Sequence, residues 1–359
     1  EYRFIRKFFS RFWSYYTLIV RILTLNNPIS EVTAFLKTIN VCRLNIYENP
    51  FKIEAFDSFK SPLIDKKPKV SIIIPTLNRY QYLRDVLKDL EKQDYKNFEV
   101  IIVDQSAPFQ EAFYKDFNLD IQLIHQEEKA LWLARNRAIQ FSKNDYIALS
   151  EDDVRINFDW ISSHLKCLDF FKAEISAGVF FPENNIMPKE KSYFKYASQF
   201  ATGNAMLLKR VFDSVGLFDR QFERGRMGDG EFGMRTYLEG FKSISNPFAY
   251  CIDVKASEGG LREFGNWDAF RTQKLFTSRP VPSVLYFWRK YWGSQLAIYA
   301  LLSSIPLSFS PYTLKGKRYG YLFSSIIFLL FSPIIFLQVS ISWLKASKML
   351  KEATKIESL

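Results

Sequence analysis

Between residues 70 and 149, short β-rich apolar runs alternate with stretches of helical spacing. Val70-Ser-Ile-Ile-Ile-Pro75 is the first run, followed over 80–93 by Tyr82, Leu83, Val86, Leu87 and Leu90 at the spacing of one helical face. Phe98–Val103 ends at Asp104, Ile121–Ile124 precedes a helix near 130–142, and Tyr146–Leu149 runs into Glu151-Asp152-Asp153. Strands that are apolar throughout, rather than at alternate positions, are buried on both faces. The order therefore predicts an α/β domain with a mostly parallel central sheet and helices on both faces. Ligands of such sheets bind beyond the carboxyl ends of the strands. Asp104 and the 151–153 cluster are thus expected to line one crevice.

Three adjacent carboxylates repel one another unless a cation compensates them. Hard divalent ions such as Mg2+ or Mn2+ take oxygen ligands and bridge to phosphates. At a strand end, Glu151-Asp152-Asp153 points to a metal held against a diphosphate leaving group; without that placement a solvated acidic turn would explain the trio. Gly228-Asp229-Gly230-Glu231 opens a run of helical character over Phe232–Leu238. A carboxylate there is oriented by the helix N-terminus and can take the proton of an attacking hydroxyl, a plain N-cap being the other reading of Asp229. Gly259-Gly260-Leu-Arg262 follows the strand-like Tyr250–Val254 and offers close backbone approach plus an arginine for phosphate. Gly203-Asn204 either presents backbone to a sugar or forms an ordinary turn.

The ends differ in kind from the middle. Residues 1–25 scatter Arg3, Arg6, Lys7, Arg11 and Arg21 among aromatics, with neither the apolar stretch nor the cleavage site of a secretory signal. A basic aromatic helix at a lipid interface and a helix packed on the main domain are the two readings. Residues 26–66 carry no assignable chemistry. In the tail, 294–314 and 319–344 are uncharged, and the second is long enough to cross a bilayer. Two spans would set Lys315, Lys317 and Arg318 opposite the catalytic domain, against the positive-inside tendency, so an in-plane or re-entrant hairpin is expected. The organisation read from this is an extension at 1–66, the α/β domain at 67–290 and a membrane-associated helical hairpin at 291–359. A net charge of +11 suits an anionic membrane or polyanionic substrate, and no nucleic-acid-binding signature accompanies it. Three scattered cysteines and two histidines rule out a disulfide framework, a zinc site and a histidine-based site.

Taken in order, VSIIIPTLNR (70–79), FEVIIVDQS (98–106), LARNRAI (133–139), DYIALSEDDV (145–154), TGNAMLLKRVFDSVGLFD (202–219), GDGEFGMR (228–235) and GGLR (259–262) resemble the family 2 inverting glycosyltransferases of GT-A fold, above all bacterial enzymes of cell-surface polysaccharide synthesis. The resemblance implies transfer of a sugar from a nucleotide-diphosphate sugar to a hydroxyl of a glycan, with Mg2+ or Mn2+ as cofactor. The basic, aromatic ends add a lipid-linked acceptor met at the cytoplasmic face of the membrane. On this likeness Pro75, Thr76, Asn78, Arg79, Asp104, Arg135 and Asp152 bind the nucleotide sugar. Glu151 and Asp153 hold the metal, Asp229 is the base, and Gly203, Asn204, Glu231 and Arg262 face the sugar and acceptor. The chain departs from the family pattern with Gln105 for a second aspartate, Gly228 for the glutamate before the base, and Asp253 for a metal-binding histidine. Asp253 can itself ligate Mg2+ or Mn2+ and joins the expected metal set. Gly228 and Asp253 also admit an inactive GT-A-like membrane scaffold or carbohydrate-binding subunit. An oxidoreductase is excluded, because Thr76-Leu-Asn-Arg79 stands where GxGxxG would follow the first strand.

Overall fold

The structure is a computed structural model that describes residues 1–9, 11–24, 26–42, 53–182, 186–197, 200–260, 269–270, 275–309 and 326–359. It divides into two units, one of Glu1–Asp57 with Tyr193–Lys195, the other of Ser58–Ser192 with Tyr196–Leu359.

In the first unit three helices, Tyr2–Phe8, Arg11–Leu23 and Pro28–Leu36, follow one another. Asn27 caps the third by accepting from the amides of Ile29 and Ser30, and Pro28 takes the first helical position, where no N–H is needed. Glu31 is buried and ties the helices together, receiving Tyr2 Oη at 2.7 Å and Arg21 Nη2 at 2.8 Å.

The strands are β1 (Val70–Thr76), β2 (Phe98–Asp104), β3 (Ile121–His125), β4 (Tyr146–Ser150), β5 (Val154–Ile156), β6 (Ile175–Pro182), β7 (Lys195–Tyr196), β8 (Asn204–Leu208) and β9 (Ser243–Asp253). The main path across the sheet is β3-β2-β1-β4-β8-β6-β9-β5. β1 pairs in parallel with β2 and β4, β2 with β3, and β6 with β9. β8 runs antiparallel to β4 and β6, and β5 antiparallel to β9. Successive side chains of one strand leave on opposite faces. Ile73, Ile101 and Leu149 join Ala134, Ala138 and Ile139 of the Leu131–Phe141 helix. Ile72, Ile74, Val100 and Ile102 meet the Tyr80–Glu91 and Trp160–Phe171 helices on the other side. Both faces are covered, which is why these strands read as unbroken apolar runs.

Register then fixes the crevice. Thr76 is opposite Asp104, and Asp104 opposite His125, so the parallel strands end level with one another. β4 ends at Ser150, one residue before the carboxylate trio. The tail contributes a helix over Pro282–Leu307, kinked at Gly293 where φ is 81°, and another over Ser332–Lys351. Leu285, Tyr286, Leu301, Ile305, Ile335 and Ala346 from these helices enter the same core as β1 and β4. Among the described residues no helix is long and apolar enough to cross a membrane; residues 310–325, which carry parts of both uncharged runs, lie outside them.

Candidate active site

Four chain segments meet at the carboxyl ends of β1, β2 and β4. Asn78, in the loop after β1, adopts the left-handed region with φ 55°, a conformation asparagine tolerates. Its amide donates to Ser106 Oγ at 2.7 Å and its side-chain oxygen receives the Ala107 amide at 3.1 Å, so the loops after β1 and β2 are stitched together. Asp104 is fully buried and accepts from Tyr80 Oη (2.6 Å), Tyr114 Oη (2.8 Å) and the Ser106 amide (2.8 Å). Burial, and then this carboxylate, push the Tyr80 hydroxyl up to about 12. As it stands, Asp104 organises two phenols at the base of the crevice.

Arg79 is the hub of the acidic side. Its Nη1 lies 3.0 Å from Asp152 and 3.2 Å from Asp153, and its Nε donates to the Glu258 carbonyl at 3.0 Å. Gly259 and Gly260, with φ of 70° and 60°, lie flat on this side chain: a Cβ on Gly260 would come within 2.6 Å of Arg79 Cζ. The double glycine is therefore needed both for its backbone conformation and for the close approach. Asp152 also receives Thr76 Oγ1 at 2.8 Å, and Asp153 the Ala256 amide at 3.3 Å. Asp253, paired in register with Val154 beside this trio, accepts from the Lys255 amide at 3.0 Å. Pro75 is buried within β1.

Glu151 turns the other way, toward Arg135. It stands deep in the crevice yet keeps 45% of its side chain open to solvent, 3.9 Å from Arg135 Nη2. It sits directly over Gly203, where a Cβ would lie 2.4 Å from its carboxyl carbon. Removal from bulk water raises Glu151 to about 7 against the pull of Arg135, and raises Asp152 to about 6 against the pull of Arg79. Arg135 is wholly buried; one Nη donates to the Thr202 carbonyl while its Nε has no hydrogen-bond partner among the described residues. Burial lowers this guanidinium to about 10, although Glu151, Asp229 and Asp152 all act on it in the opposite sense.

Asp229 opens the Gly228–Leu238 helix, with its Oδ1 on the Gly230 amide at 2.8 Å. The residue is exposed, yet the protein around its carboxyl displaces part of the water. That loss of surrounding water raises its carboxyl, and the Gly230 amide, Arg135 and Arg226 oppose the rise. Met227, just before it, has φ 75°, a strained value for a non-glycine residue at a helix start. Gly228 has a plain cause: a Cβ there would meet the Trp132 ring at 2.3 Å. Trp132 is itself fixed by its Nε1 on the Phe222 carbonyl at 3.1 Å.

The crevice thus brings together Thr76, Asn78, Arg79, Asp104, Arg135, Glu151, Asp152, Asp153 and Gly203, and Asp229 lies within electrostatic reach of Arg135. Two expectations give way. The Asn204 amide is spent inside the sheet, accepting from Trp160 Nε1 at 2.8 Å and donating to the Val179 and Ala249 carbonyls at 3.1 and 2.9 Å. Glu231 is fully buried in a network with Arg235 (3.0 Å), Lys290 (2.9 Å) and Tyr291 (2.8 Å), so it anchors the 228–238 helix to the Pro282–Leu307 helix and faces no sugar. Arg262 lies outside the described residues. Trp132 and Thr202, unremarked in the sequence, complete the wall. The only signal for Trp132 was the glycine opposite it.

Among the described residues no three His, Cys, Asp or Glu side chains cluster closely enough to hold a metal as they stand. Arg79 serves as the counter-cation of Asp152 and Asp153. The donor chemistry nevertheless fits a hard divalent ion: all ligating atoms are oxygens, and Glu151 is partnered among these residues only by an arginine at 3.9 Å.

Residues 71–216 match the family model "Glycosyl transferase family 2". The chain is 27% identical over 163 residues to Glycosyltransferase GlyA of Streptococcus pneumoniae, covering 44% of this chain and 22% of that protein. It is 23% identical over 277 residues to chondroitin synthase of Escherichia coli, covering 62% and 39%. It therefore spans well under half the length of these relatives. The fold is similar to that of the mannosyltransferase PcManGT from Pyrobaculum calidifontis in complex with GDP-Man and Mn2+, with a TM-score of 0.53 and 15% identity over 82% of this chain and 91% of that one.

Proposed function

We propose, from the match of residues 71–216 to the family 2 glycosyltransferases and from the GT-A-like fold, that this chain moves a sugar, with inversion, from a nucleoside-diphosphate sugar to a hydroxyl of a lipid-linked glycan in cell-surface polysaccharide synthesis. The observation that carries this reading is the buried guanidinium of Arg135, 3.9 Å from Glu151 and within electrostatic reach of both Asp152 and Asp229. On this reading a donor-side acidic group and the candidate base serve one crevice.

Asp229 accepts the proton of the acceptor hydroxyl as that oxygen attacks the anomeric carbon from the face opposite the nucleotide. The raised carboxyl suits this role, because a base closer to neutrality takes a proton more readily in the transition state. Arg79 and the flat Gly259-Gly260 backbone would hold the diphosphate, and Arg135 is a fixed positive charge that needs no reorganisation during reaction. Mg2+ or Mn2+, held by Glu151 and Asp153 with Asp253 beside them, would supply charge neutralisation for the departing diphosphate. The complex of PcManGT with GDP-Man and Mn2+ supports this chemistry by fold likeness. The steric conflict between Trp132 and any side chain at 228 accounts for the missing glutamate. That gives one of the two departures favouring an inactive relative a packing cause.

Purified protein incubated with a panel of nucleotide sugars and a lipid-linked glycan tests the reading. Transfer is expected with Mn2+ and not with EDTA, giving a product of inverted anomeric configuration by NMR. Retained configuration, or no transfer and no hydrolysis with any donor, would overturn it. Work at the cytoplasmic face of the membrane, beside a lipid-linked acceptor, completes the proposal.

A further inference from the structure

The first unit exposes apolar surface in an ordered pattern. Along the Arg11–Leu23 helix, Phe12, Tyr16, Ile19 and Leu23 follow at spacings of four, three and four, so they form one stripe, and each is between 46% and 75% exposed. Trp13 is exposed beside them, its ring edge-on to Tyr16 at 5.6 Å. The opposite face is the one that packs. There Ser14 is buried and Arg21 reaches Glu1 and Glu31, each at 2.8 Å; at the flank, the exposed Tyr15 ring lies 5.1 Å from Phe35. Ile29, Val32 and Leu36 of the Pro28–Leu36 helix, with Ile39 after it, form a second exposed stripe at spacings of three, four and three.

Charge is sorted as well. Glu1 and Glu31 are the only acids of residues 1–42, and both are taken by Arg21. Arg3, Lys7, Arg11 and Lys37 are all exposed. A second copy of the chain on these stripes would bring like charges together, whereas anionic headgroups would neutralise them. The Arg11–Leu23 helix has 13 residues, about 20 Å in length, against a hydrocarbon core of about 30 Å. It can lie in an interface and cannot cross one.

We propose that this helical unit docks flat on an anionic lipid surface. The 12/16/19/23 stripe and Trp13 sit at the headgroup–acyl boundary, with Arg3, Lys7 and Arg11 among the phosphates. The inference supplies the device for the membrane placement proposed above and does not depend on the transfer chemistry.

The test is co-sedimentation of the full chain with vesicles of phosphatidylcholine alone and of equal parts phosphatidylcholine and phosphatidylglycerol. Binding is expected to the mixed vesicles and to weaken as salt is added. Phe12→Ser/Ile19→Ser/Leu23→Ser changes only exposed side chains, so donor turnover and melting stay as in the wild type, while vesicle affinity falls at least about tenfold. Arg3→Gln/Lys7→Gln/Arg11→Gln lowers affinity for the mixed vesicles by about fivefold per charge and leaves binding to phosphatidylcholine unchanged. Equal vesicle binding by wild type and the apolar triple variant would overturn the inference. So would a lipid-free dimer in sedimentation velocity that the same variant converts to monomer, since the stripe would then belong to a second copy. Wild type that transfers sugar but ignores anionic vesicles would sink the docking surface and leave the catalytic reading standing.

Discussion

Gly203→Ala adds one methyl group at the point where Glu151 lies over the backbone. The new Cβ would sit 2.4 Å from the Glu151 carboxyl carbon, 2.5 Å from its Oε1 and 2.6 Å from its Cγ, all far inside van der Waals contact. Something must move, and the half-open Glu151 side chain can do so without unfolding the sheet. Overpacking usually costs about 1–3 kcal/mol; escape into solvent should hold the loss to the lower end, a few degrees of melting temperature. The larger effect falls on cation binding, because the displaced side chain, Glu151, is one of the proposed ligands. Misplacing a group that orients a metal site typically costs about 10–100-fold in affinity. Isothermal titration with Mn2+ alone measures it, and a melt of the same sample measures stability. A variant with wild-type Mn2+ affinity would refute the placement of Glu151 among the ligands, and a variant that fails to fold would refute the claim that its side chain is free to move.

Other perturbations separate structure from chemistry. Asn204→Ala strips Trp160 Nε1 and the Val179 and Ala249 carbonyls of their partner, and should cost about 1–3 kcal/mol in denaturant melts with no change in donor KM. Gly228→Ala should be destabilising by about 1–3 kcal/mol, and Trp132→Ala in the same chain should relieve part of that; additive losses in the double variant would show that the two do not clash. Asp152 and Glu151 hold their protons to about 6 and about 7 in the folded chain and release them nearer 4 when unfolded. Between these limits the native state binds more protons, so stability of the metal-free protein should fall as pH rises from about 4 to about 7. Asp152→Asn should flatten part of that slope in melts run with EDTA, and an unchanged slope would contradict the burial of its carboxylate. Because the Asp229 carboxyl is raised and must be ionised to act, kcat/KM should climb with pH on an acidic limb lying above the ordinary aspartate range.

The sheet from β1 to β4 was legible because burial on both faces leaves an unbroken apolar run, and the carboxylates that end these strands mark the crevice directly. β6 and β8 were not read as strands, nor the Trp160–Phe171 helix as a helix: their pairing is set across more than twenty residues, and NAMLL or ISAGVFFP has no local period to betray it. Motif proximity misled at Asn204 and Glu231, polar residues beside catalytic-looking glycines that are spent on buried partners instead. The contact of Arg79 with both Asp152 and the 258–260 backbone depends on strand register, which no single segment encodes. Gly228 and Gly203 looked like a lost residue and a turn. Each is a space already filled, by Trp132 and by Glu151.

Asp229→Asn keeps the size and the Gly230 contact of the side chain while removing its ability to take a proton. Initial rates of transfer, beside donor titrations by calorimetry on the same preparation, bear most directly on the proposed chemistry. The expected result is loss of transfer by at least about a hundredfold with donor affinity nearly unchanged. Wild-type turnover in this variant would mean that the proton leaves by another route and that the crevice is not the one described.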